Sequence, residues 1–112
     1  MNSGVVFVLS MDDRGLCIFP SANAAIAECE GIDVEDGNYT FWDENGCPLK
    51  AVFSRPNRRG FFGSVLSGKY ALVPSADSEP LIDALHKVGY LEPSNVFASI
   101  DALREHLRGY CK

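Results

Sequence analysis

Gly63-Ser64-Val65-Leu66-Ser67-Gly68-Lys69 spells GxxxxGK, the body of a loop whose backbone N–H groups cradle phosphates. The next residue should be Ser or Thr to hold magnesium, and it is Tyr70. Such a loop must also open a helix, where unpaired N–H groups meet the anion. This one runs into the β-rich stretch Tyr70 to Val73 and then Pro74, so nucleotide binding is not expected. General acid–base chemistry needs a histidine or carboxylate held in a cleft. The two histidines, His86 and His106, fall near the C-terminal ends of expected helices, where a solvated imidazole suits the dipole. No GxSxG, HExxH or HxH occurs. Cys17, Cys29, Cys47 and Cys111 include no CxxC pair, and the nearest two are twelve residues apart, unlike a structural zinc site. The expectation is reduced, partly buried thiols, with Cys111 the most exposed and oxidisable. No catalytic residue, metal or cofactor is expected. A Cys–His pair assembled by folding is the one enzymatic arrangement left open.

Charge segregation is the stronger signal. Between Arg14 and Lys50 there is no Lys or Arg, and the interval carries Glu28, Glu30, Asp33, Glu35, Asp36, Asp43 and Glu44. Such a run is either a solvated face or a patch that speeds encounter with a basic partner and fixes its orientation. Trp42 lies beside it as a candidate anchor, although strand tryptophans are commonly core residues. The counterweight is Arg55-Pro56-Asn57-Arg58-Arg59-Gly60-Phe61-Phe62, where Arg58, Arg59 and Phe62 are candidate contacts. Arginine beside aromatics can stack on single-stranded bases. The formal net charge of −5 argues instead for a protein partner and against nucleic acid.

The elements that must position these residues follow from periodicity. With 112 residues, 46% hydrophobic and 22% charged, the chain reads as one domain with a real core. The apolar run Val5–Leu9 is too short for a membrane span and has no cleavage site behind it, so a cytoplasmic location is expected. Val5–Ser10 reads as a central strand and Leu16–Phe19 as its return, ended by Pro20. Ser21 caps a helix running to about Glu30, with Gly31 as its stop and residues 32–37 as an acidic connector. Asn38 to Phe53 reads as a hairpin around Asp43-Glu44-Asn45-Gly46, with aromatics on both faces and hence covered on both. Residues 54–68 read as a long, partly mobile loop, and Lys69–Val73 as a strand. Ser78-Glu79-Pro80 starts a helix that Gly89 ends, Tyr90–Pro93 is a connector, and Ser99 caps the last helix. The order implies an α+β fold: a small antiparallel sheet of about five strands with three helices packed on it.

Asp36-Gly37-x-Tyr39-x-Phe41-x-Asp43-x-x-Gly46-x-Pro48-Leu49, followed by Gly68-x-Tyr70-x-Leu72-x-Pro74, resembles small bacterial proteins of mostly unassigned function, some of which are similar to immunity proteins that neutralise toxins. Tyr90 to Pro93, Phe97 to Ser99 and Leu103 fit the same pattern. The resemblance implies a non-catalytic protein that occludes a toxin's active site and carries no shared catalytic residues. A regulatory or scaffold domain unrelated to toxins is the alternative.

Overall fold

The computed structural model describes residues 4–59, 65–66, 68–92 and 97–109. Strand β1, Val6–Ser10, is the centre. Its residues Val6, Phe7, Val8 and Leu9 are all buried, and side chains alternate along a strand, so both faces must be covered. Antiparallel partners flank it: β2, Gly15–Phe19, on one side and β3, Tyr39–Trp42, on the other. The sheet extends through β4, Pro48–Arg55, to β7, Lys69–Pro74, at one edge and β8, Tyr90–Leu91, at the other.

Two helical layers enclose this sheet. On one face Phe7, Leu9, Leu16 and Trp42 meet α3, Leu81–Ala84, its 3-10 continuation Leu85–Lys87, and α4, Ile100–Leu107. On the other, Val6, Val8 and Phe41 meet Ala25 of α1, Ala22–Glu28, and Val34 of α2, Gly31–Glu35. The α+β class therefore holds, and β3 is covered on both faces at Phe41 and Trp42; the second strand of the hairpin departs from expectation, because Lys50, Val52 and Ser54 of β4 leave one of its faces exposed. Ser21 and Ser99 are side-chain N-caps, accepting from the N–H groups of Ala24 and Ala102.

The turn that joins β3 to β4 is tightly specified. Asp43 Oδ1 accepts from the N–H groups of Asn45 and Cys47, an Asx arrangement. Gly46 has φ +79, and a Cβ there would stand 2.8 Å from Leu107 Cδ2, so any other residue beneath α4 is strained and must displace that side chain. Edge strand β7 is blunted by its last residue. Ser75 N–H donates to Pro48 O, which turns odd-numbered N–H groups of β7 toward β4 and even-numbered positions outward. Pro74 falls on the outward phase, where its missing N–H removes one donor from the edge.

Several boundaries differ from expectation, each for a tertiary reason. The sheet has six strands: β8 pairs in parallel with β2 through Gly15↔Tyr90 and Leu16↔Leu91. A two-residue strand carries no periodicity, and it forms because the β1–β2 turn holds it. Gly89 N–H donates to Arg14 O, and Tyr90 Oη donates to Asp13 Oδ2 at 2.8 Å. Among the described residues there are four α-helices, because Gly31 opens α2 where a helix stop was expected, and residues 32–35 are helical rather than connecting. Pro80, not Ser78, occupies the N-cap of α3. Within the expected 54–68 loop, β5, Arg58–Arg59, pairs antiparallel with β6, Val65–Leu66. Expected mobility at 60–64 and exposure of Cys111 fall outside the described residues. The all-reduced expectation fails at Cys47, which is disulfide-bonded. Local cysteine spacing carries no information about a bond closed by folding. Cys17 and Cys29 are free thiols.

Candidate partner-binding surface

The acidic segment becomes a surface because two short helices meet at a break. The chain leaves α1 at Cys29 in an extended conformation (φ −99, ψ 104) and re-enters helix after Glu30. Glu28, Glu30, Glu35 and Asp36 are exposed and Asp33 is half-buried. Glu28 stands in the last turn of α1, which carries no basic residue, so its charge opposes the helix dipole. Beneath the carboxylates the junction is buried and apolar, with Ala25, Cys29 and Ile32 in the core. Tyr70 Oη donates to Cys29 O at 2.6 Å, tying edge strand β7 to the end of α1. Burial raises the Tyr70 phenol above its ordinary range and pushes the Cys29 thiol up to about 11. A depression of about 400 Å³ opens here, lined by Glu30, Gly31, Lys69 and Tyr70 among others.

Asn57 joins this surface to the arginine segment. Its Nδ2 donates to Gly31 O and to Glu35 Oε1, both at 3.1 Å, and its Oδ1 accepts from Gly68 N–H at 2.7 Å. The acidic helices and the start of the β5–β6 ribbon are thus adjacent, with exposed Arg58 one residue beyond Asn57. Two candidate surfaces that are separate in sequence become neighbours. Arg59 lies in β5. Its side chain, and Phe62 altogether, fall outside the described residues.

Two expected contacts do not belong to this surface. Trp42 is 1% exposed and faces the α3–α4 layer, with Nε1 donating to Glu79 O at 2.9 Å. It is a core residue, because its phase in β3 points it away from the helices that carry the carboxylates. Glu44 is exposed but sits in the β3–β4 turn. That is the far end of β3 from Asp36, about 10 Å away along the strand alone.

Sequence reasoning missed Asn57 and Tyr70, the residues that assemble the surface. Asn57 stands in the expected loop beside Pro56, and nothing local identifies the groups its amide would reach. Tyr70 falls in the expected strand Lys69–Val73, but nothing local identifies the carbonyl its hydroxyl reaches.

The sheet also decides the open Cys–His question among the described free thiols. Cys17 pairs in register with Val8 and therefore faces the α1–α2 layer, as Cys29 does. Burial raises both thiols, so they are protonated at neutral pH. His86 Nδ1 lies 3.0 Å from Asp83 O and His106 Nε2 lies 2.9 Å from Glu44 O, both on the α3–α4 side. Among the described residues no group of three His, Cys, Asp or Glu side chains could hold a metal ion. No helix of the described residues is long and apolar enough to cross a membrane. No protein-family model, curated protein or solved structure matches this chain.

Proposed function

We propose that this chain is a non-catalytic binding protein that holds a basic protein partner against the α1–α2 surface. The observation that carries the reading is the exposure of Glu28, Glu30, Glu35 and Asp36 together on two helices braced by Tyr70 and Asn57. Glu30 suits the N-terminus of α2 and Glu35 accepts from Asn57, but Glu28 is not placed for stability. Glu28 opposes the dipole of its own helix, and like charges crowd one junction. A partner carrying Lys or Arg would offset both costs on binding. Arg58, beside the patch, supplies a contact of opposite sign that fixes orientation.

At the finer level the partner is a toxin domain whose basic active site binds nucleotide or nucleic acid, and the protein acts as its immunity protein. The resemblance through Asp36-Gly37, Gly46 and Pro48-Leu49 supports this class. The test is co-expression with the product of the adjacent gene. Growth arrest by that product alone, relieved by this protein, is the expected result; a harmless neighbour, or no rescue, refutes it.

A cytoplasmic placement belongs to the same reading, and Cys47 supplies its check. Disulfides persist in oxidising compartments, so the redox state of Cys47 in cells reports where the domain works.

A further inference from the structure

Strands β3 and β4 pair only through Trp42↔Pro48 and Phe41↔Leu49. Beyond that point they part. Thr40 and Tyr39 stay with β1, whereas β4 continues to Arg55 with β7 as its partner and a register shift between Phe53 and Arg55. Backbone direction follows from the bonds on either side. Ser75 N–H donates to Pro48 O, so even-numbered residues of β4 aim at β7 and odd-numbered ones aim toward β3. Ala51 and Phe53 therefore turn their N–H and C=O groups into the gap, with no strand partner there among the described residues. A cavity of about 330 Å³ lies at the divergence, lined by Val34, Glu35, Tyr39, Thr40, Lys50 and Phe53 among others.

We infer that this gap receives an extended segment of the partner, which pairs with β4 at Ala51 and Phe53 as an added strand. The inference rests on the basic-partner reading above and names how that partner enters. Main-chain hydrogen bonds would supply affinity, and alternate side chains would supply specificity. The two walls of the gap differ in charge. On the α2 side stand Val34, Phe53 and Glu35, which suit an Arg or Lys whose stem lies on the apolar groups while its head reaches the carboxylate. On the opposite side stand Thr40 and exposed Lys50, which suit small polar residues and repel a second row of cations. The segment therefore alternates basic with small polar side chains.

The probe is a hexapeptide of alternating arginine and threonine, titrated into ¹⁵N-labelled protein at low ionic strength. Two further versions are N-methylated, one at every arginine and one at every threonine. Amide shifts at Ala51 and Phe53 are expected. One N-methylated version should bind about tenfold more weakly, because its donors to β4 are gone, and the other should bind like the parent. Glu35→Lys should weaken the parent peptide by at least threefold, with the spectrum otherwise folded. No shift at Ala51 and Phe53, or equal binding by all three peptides, overturns strand addition. If shifts are confined to residues 28–36 and ignore N-methylation, strand addition fails and the acidic-surface reading stands. No shift anywhere overturns both.

Discussion

Removing one hydroxyl tests how the surface is held. Tyr70 is 9% exposed, and its Oη donates to Cys29 O at 2.6 Å, across 41 residues of sequence. In Tyr70→Phe the ring contact with Phe53, with centroids 5.3 Å apart, can persist, so the change isolates the hydrogen bond. The net worth of such a bond is about 1 kcal/mol, and a buried carbonyl left without its donor adds about 1 kcal/mol or more. The expected loss is about 2 kcal/mol. For 112 residues that lowers the melting temperature by roughly 8 °C. Chemical denaturation at neutral pH measures the energy, and amide exchange along β7 and at the α1–α2 junction measures where the fold loosens. The pH dependence adds a signature. Burial raises the phenol of folded Tyr70, so its contribution is complete below the unfolded value of 10.0 and fades as pH rises toward the folded one. The difference between wild type and variant should therefore narrow above pH 10. A loss under about 0.5 kcal/mol, or unchanged exchange at the junction, would refute the bracing role of Tyr70.

Three other outcomes follow from single residues. Cys29 rises from 9.0 to about 11 on folding, mainly by burial, so its neutral form stabilises the fold fully below pH 9 and this is lost as pH climbs toward 11. The alkaline loss attributable to it is at most about 3 kcal/mol, and Cys29→Ser should flatten that part of the stability–pH curve. Gly46→Ala places a Cβ at positive φ and 2.8 Å from Leu107, and should cost about 2 kcal/mol in urea denaturation; a neutral result would mean that α4 does not seat on the turn. Thiol trapping of protein taken directly from cells should find Cys47 reactive toward alkylation, as the cytoplasmic placement requires; Cys47 blocked as a disulfide would contradict that placement.

What was legible in the sequence is what short-range pattern controls. The unbroken run from Val6 to Leu9 marks a central strand, and Phe41 beside Trp42 marks a strand covered on both faces, although β4 leaves Val52 exposed on one of its own. The serine caps at Ser21 and Ser99 stand where the pattern put them. What escaped depends on distant partners. Strand β8 exists because Asp13 and Arg14 hold it, 77 residues away in the case of the Tyr90–Asp13 bond. Gly31 has the composition of a helix stop, yet Asn57 takes its carbonyl and the following residues turn helical. For the candidate site, the sequence located the charges but not their grouping. Glu44 and Trp42 are neighbours in sequence of the acidic run and are carried away from it by the direction and phase of β3. Glu35 and Arg58, far apart in the chain, are brought together by one asparagine.

The most direct test of the account is charge reversal at the helix junction in a growth-rescue assay. Glu28→Lys and Glu30→Lys alter two exposed side chains and leave the core contacts of Ala25 and Cys29 untouched. Co-expressed with the product of the adjacent gene, wild-type protein should restore growth. The folded double variant should fail, and its binding should weaken by at least tenfold. Full rescue by the double variant, with binding unchanged, would contradict the claim that the α1–α2 surface holds the partner.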